Sequence, residues 1–60
     1  MLPADPIILL SYVNTKLRDE YQSLQDFCQS LDVTIDALTD ALGKCGYQYS
    51  KERNQFVYIP

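Results

Sequence analysis

Polar and apolar residues alternate along this chain with two different periods. From Pro6 to Tyr21, Leu10, Val13, Leu17 and Tyr21 recur at spacings of three and four, the signature of one helical face, and Leu9 widens it. Asp5 before Pro6 supplies the start: the carboxylate can accept from early backbone N–H groups, and proline at the first helical position forfeits no intrahelical bond. The pattern predicts a first helix over about 6–21. Ser23 opens a second, about 24–31, with Leu24, Phe27, Cys28 and Leu31 inward and Asp26 completing a shortened capping box. The "DVT" stretch interrupts it, since Asp32 tolerates a left-handed turn and Thr34 can cap the next helix. That third helix, about 35–45, presents Ile35, Leu38, Leu42 and Cys45 on one side. Gly46 suits the position after its end, in a Schellman arrangement with Tyr47 against Leu42.

After Gly46 the period falls to two. "YQYSKERNQFVYI" predicts a hairpin with strands at about 47–50 and 55–59 and a loop from Lys51 to Asn54. That register pairs Tyr47 with Tyr58 and Tyr49 with Phe56, gathering the aromatic rings on one face that must pack on the helices. Leu2, ahead of Pro3, could add a short third strand. The predicted fold is one domain over 1–60, mostly α with a C-terminal β-hairpin. Its order, three helices and then a hairpin, is winged helix-turn-helix-like. Phe27, Cys28, Leu31, Val33 and Leu38 fill the positions where a helix-turn-helix needs buried or small residues, with Asp32 where glycine is usual.

Sixty residues make at most a small core, and 47% hydrophobic residues with interspersed charges indicate a globular chain. No apolar run approaches a membrane span. The start lacks the basic segment and cleavage site of a signal peptide, so a cytoplasmic location is expected. The chain carries eight acids against five Lys and Arg, for a net charge of −3. That balance disfavours nucleic acid, whose affinity rests on cations displacing counterions. On the third helix the solvent face would be Thr34, Asp36, Thr39, Asp40 and Gly43, and two carboxylates there oppose phosphates. Were the chain nonetheless a winged-helix nucleic-acid binder, Lys44, Lys51 and Arg53 would be its contacts. There is no histidine, no nucleophile elbow and no phosphate loop, so an enzyme is not expected. Cys28 and Cys45 are too few for a zinc site or a disulfide scaffold and read as core residues. No cofactor is implied.

Two surfaces stand out. Ile7, Ile8, Leu9 and Tyr12 give the first helix more apolar surface than two partner helices can cover, so either a terminal strand covers it or a second copy of the chain or another protein does. Self-association through this surface is the expected function. Asn14, Lys16, Arg18 and Asp19 form a polar cluster near the helix end. There Lys16 and Glu20, and Thr15 and Asp19, are spaced to pair along the surface, or Lys16 or Arg18 could bridge to another element.

The blocks "LPxDPxxLLSYVNTKLRDxYxSL", Leu2 to Leu24, and "GYxYxxxxNQF", Gly46 to Phe56, resemble a family of short uncharacterised bacterial proteins, a domain of unknown function. The resemblance implies a standalone bacterial protein and brings no activity, cofactor or catalytic residue. With "VNTKLRD" as its hallmark, it directs attention to Asn14, Lys16, Arg18 and Asp19, for folding or for binding.

Overall fold

The computed structural model describes residues 2–60. Three helices, α1 (Pro6–Asp19), α2 (Leu24–Leu31) and α3 (Ile35–Gly43), precede an antiparallel hairpin of β1 (Tyr47–Ser50) and β2 (Gln55–Tyr58). The predicted order and register both hold, with Tyr47 opposite Tyr58 and Tyr49 opposite Phe56. Each helix starts where a side-chain oxygen can take an orphan N–H. Asp5 accepts from Ile7 and Ile8, Ser23 from Asp26, and Thr34 from Ala37.

The helix ends need more than pattern. α1 stops at Asp19, two residues short of the expected boundary, because Glu20 leaves the helical region (φ −127°) and the Tyr21 N–H reaches back to the Lys16 carbonyl. α2 closes on a full Schellman motif. Asp32 is left-handed (φ 56°), the Val33 N–H donates to Cys28, and the Asp32 N–H donates to Gln29. An aspartate therefore takes the place expected of glycine in this turn. α3 ends at Gly43, so Cys45 lies beyond the helix and is half-buried. Gly46 is left-handed as expected (φ 87°), but only half of the Schellman pair forms there, Gly46 N–H to the Gly43 carbonyl. The backbone angle favours glycine at Gly46, and a Cβ there would crowd the exposed Tyr58 ring at 3.0 Å. Leu2 forms no strand. It packs over a small apolar groove between α1 and α3, beside Leu9, Leu38 and Ala41.

Leu9, Val13 and Leu17 of α1 meet Leu24, Phe27 and Cys28 of α2, Leu38 and Leu42 of α3, and Phe56 of β2. Phe27 is the centre of this core, with Tyr12 and Tyr21 set edge-on to its ring at 6.4 and 5.4 Å. Burial pushes the Cys28 thiol up from its ordinary pKa. Leu10 and Tyr21, expected at the heart of the helical stripe, lie at its margin. Ile35, expected inward, is 40% exposed.

A polar clamp and the surfaces it leaves open

The alternation of hydrogen bonds in the hairpin decides which backbone groups are free. The Ile59 N–H donates to the Gly46 carbonyl, so Gly46 and Ile59 face one another across the ladder. In an antiparallel pair, bonded and non-bonded positions alternate. Tyr47, Tyr49, Phe56 and Tyr58 therefore point their backbone N–H and C=O groups away from the partner strand.

At Phe56 those outward groups are taken by Asn14. Its Nδ2 donates to the Phe56 carbonyl at 3.0 Å and its Oδ1 accepts from the Phe56 N–H at 2.8 Å. One amide thus closes part of the outer edge of β2, as a third strand would. Gln55 returns the contact, its Nε2 donating to the Asn14 carbonyl at 2.9 Å.

A second amide holds the other end of the hairpin. Asn54 sits in the left-handed region (φ 52°), which asparagine tolerates, and its Nδ2 donates at 3.0 Å to the carbonyls of both Leu17 and Tyr21. Those carbonyls lie at the C-terminal end of α1, where helical acceptors lack partners. The Tyr49 hydroxyl donates to Asn54 Oδ1 at 2.6 Å and accepts from the Leu24 N–H, an orphan of the first turn of α2, at 3.3 Å. Asn54 of the hairpin loop so caps the end of α1, and through it Tyr49 of β1 is held to cap the start of α2. Every buried side-chain polar atom among the described residues has a partner.

The predicted cluster of Asn14, Lys16, Arg18 and Asp19 does not converge. Asn14 turns to the hairpin. Lys16 pairs with Glu20 at 2.6 Å and lies 5.6 Å from the centre of the Tyr12 ring, and the hydrogen-bonded Glu20 carboxylate raises the pKa of its ammonium. Arg18 pairs with its neighbour Asp19, through Nε to Oδ1 at 2.9 Å and Nη2 to Oδ2 at 3.0 Å. That bond lowers the Asp19 pKa and raises that of Arg18. So Lys16–Glu20 is as expected, Asp19 takes Arg18 in place of Thr15, and neither cation bridges to another element. Exposed pairs of this kind contribute little to stability.

The apolar candidates also divide. Leu9 belongs to the core, at 6% exposure, because it falls on the same side of α1 as Val13 and Leu17. It is no part of a free surface. Tyr12 leans on Phe27 and is half-buried. Ile7 and Ile8 stay open at 61% and 58%, and at the far end of the hairpin Tyr58 and Ile59 stay open at 60% and 48%. These four lie toward one end of the molecule. Asn54 meets Leu17 and Tyr21, and Phe56 meets Asn14, so β2 runs antiparallel to α1 and carries Tyr58 and Ile59 toward its first turns.

The cationic candidates are apart. Lys44 precedes β1 and Lys51 follows it, so a four-residue strand of about 13 Å separates them. Arg53 sits with Lys51 and Glu52 in the exposed loop. Asp36 and Asp40 are exposed on α3. No helix among the described residues is long and apolar enough to cross a membrane.

Comparison with known proteins finds a family model, described as a domain of unknown function (DUF4250), matching residues 3–56. No curated protein matches. No solved structure matches either. The matched span takes in both halves of the clamp, Asn14 on α1 and Tyr49, Asn54, Gln55 and Phe56 on the hairpin, and on this match the chain belongs to the DUF4250 family.

Proposed function

We propose that this chain is a non-enzymatic protein-interaction module that self-associates through the apolar end of the molecule, with Ile7 and Ile8 at its centre. The observation that carries this reading is the gathering of four of the five exposed large hydrophobics, Ile7, Ile8, Tyr58 and Ile59, toward the start of α1. Single exposed hydrophobics are ordinary, whereas four of them toward one end of so small a chain favour an interaction surface there. A standard interface covers about 800 Å² per partner, close to a fifth of the 4300 Å² this protein exposes. A two-fold dimer would bring the same patch against itself. Another protein with a complementary apolar surface is the alternative occupant.

Sedimentation equilibrium over a concentration series tests this. The protein should dimerise by high micromolar concentration, and Ile8→Glu, which places a carboxylate in the contact, should need roughly tenfold more protein to associate, with an unchanged denaturation midpoint at low concentration. A wild-type monomer throughout, or an Ile8→Glu protein that dimerises as well as wild type, would overturn the reading.

Nucleic-acid binding by a winged helix is the other reading, favoured by the element order and the tight α2–α3 turn. Against it stand Asp36 and Asp40 on the α3 surface and the distance between Lys44 and the loop cations.

A further inference from the structure

We propose that β1 offers a second self-association site, an open strand edge that pairs antiparallel with β1 of another copy. The two edges of this hairpin are treated differently. On β2, Asn14 occupies the outward groups of Phe56, and Pro60, just past the strand, has no N–H to offer. On β1, the outward N–H and C=O groups of Tyr47 and Tyr49 have no hydrogen-bond partner among the described residues. Exposed edges are ordinarily blunted by a charge, a proline or a bulge, and Tyr47–Ser50 has none of these.

The occupant follows from the order of side chains. Tyr-Gln-Tyr is a palindrome, so a two-fold axis through Gln48 sets Tyr47 opposite Tyr49 of the second copy and Tyr49 opposite its Tyr47. Both are bonded positions in an antiparallel pair, so all four outward groups of each copy's two tyrosines find partners. Gln48, exposed on the opposite face, then lies beside its own counterpart at a close non-bonded position. Two glutamine amides can bond there. The strand carries no charge, so a chain of net charge −3 meets itself here without local repulsion. Beside this edge lies a shallow apolar groove between Leu24, Ile35 and Tyr49, and Ile35 is the one exposed large hydrophobic not gathered at the α1 end. A paired strand would sit over that groove. The result is a four-stranded sheet in the order β2-β1-β1-β2, more stable than an isolated two-stranded hairpin.

This surface is independent of the one around Ile8, and both engaged together carry assembly beyond a dimer. The test is therefore run in Ile8→Glu protein, where the α1 face is weakened. Amide exchange of Tyr47 and Tyr49 should slow by roughly tenfold as the protein is concentrated from about 10 µM to about 1 mM. The same change should vanish in Gln48→Lys, which sets like charges opposite one another on the axis and leaves the fold intact. As a second measurement, Gln48→Cys in a Cys45→Ser background should oxidise to a single covalent dimer, and Gln22→Cys, exposed elsewhere, should not. Exchange at Tyr47 and Tyr49 that is the same at all concentrations, or cross-linking no faster at position 48 than at 22, would overturn the proposal.

Discussion

Replacing Asn54 with alanine should destabilise the protein by about 2–4 kcal/mol. The side chain donates to the carbonyls of Leu17 and Tyr21 and accepts from the Tyr49 hydroxyl. Each such bond contributes about 0.5–1.5 kcal/mol net, and an acceptor left unpaired costs more than the bond was worth. Alanine must also hold a left-handed backbone, at φ 52°, which costs an L-residue roughly 1–2 kcal/mol. Two substitutions separate these effects. Asn54→Gly removes the three bonds and tolerates the backbone, so it should be more stable than Asn54→Ala by about 1 kcal/mol. Urea denaturation of both variants at low protein concentration gives the comparison. Equal midpoints would mean that the backbone conformation carries none of the cost.

The second large effect is at Phe27. Its ring is fully buried against Tyr12 and Tyr21, and these half-buried neighbours could fill the cavity left by alanine only by drawing their hydroxyls inward, away from water and, for Tyr21, from Ser30. Phe→Ala changes in cores cost about 3–5 kcal/mol. A folded domain of 60 residues has a total stability of only about 3–9 kcal/mol. Phe27→Ala should therefore be largely unfolded at 37 °C, with its near-ultraviolet circular dichroism lost, while Phe27→Leu, which keeps most of the volume, should stay folded with a lowered Tm. A folded Phe27→Ala protein of near wild-type Tm would place the centre of the core elsewhere.

Elements were legible in this sequence to the extent that side-chain chemistry is local. Asp5, Ser23 and Thr34 cap within three residues of themselves, and the two-residue period sets the hairpin register, so helix starts and strand pairs follow directly. Helix ends were less legible. Glu20 leaves α1 through its backbone angles, whereas Lys44 keeps helical angles and α3 closes through the tighter bonds of the Cys45 and Gly46 N–H groups to Leu42 and Gly43. No single residue type announces either ending. The polar cluster misled for a related reason. Proximity along the chain grouped Asn14 with Lys16, Arg18 and Asp19, although a helix turns them to different sides. Asn14 belongs with residues some forty positions away, and periodicity carries no trace of that contact. The one sign of it was that two distant blocks, around "VNTKLRD" and "NQF", were both distinctive. Their common ground is the seam between α1 and β2. The surplus of apolar residues on α1 was legible as a surplus, but Leu9 had to be assigned to the core by the packing itself.

Asn14 is above all a structural clamp, its amide closing the β2 edge and joining the hairpin to α1. The most direct measurement is the urea-denaturation midpoint of Asn14→Ala at a protein concentration too low for self-association. Two bonds are lost and the Phe56 N–H and C=O are left half-buried without partners, so stability should fall by about 1–3 kcal/mol. A midpoint equal to that of the wild type would contradict the clamp and return Asn14 to the surface as a residue kept for binding.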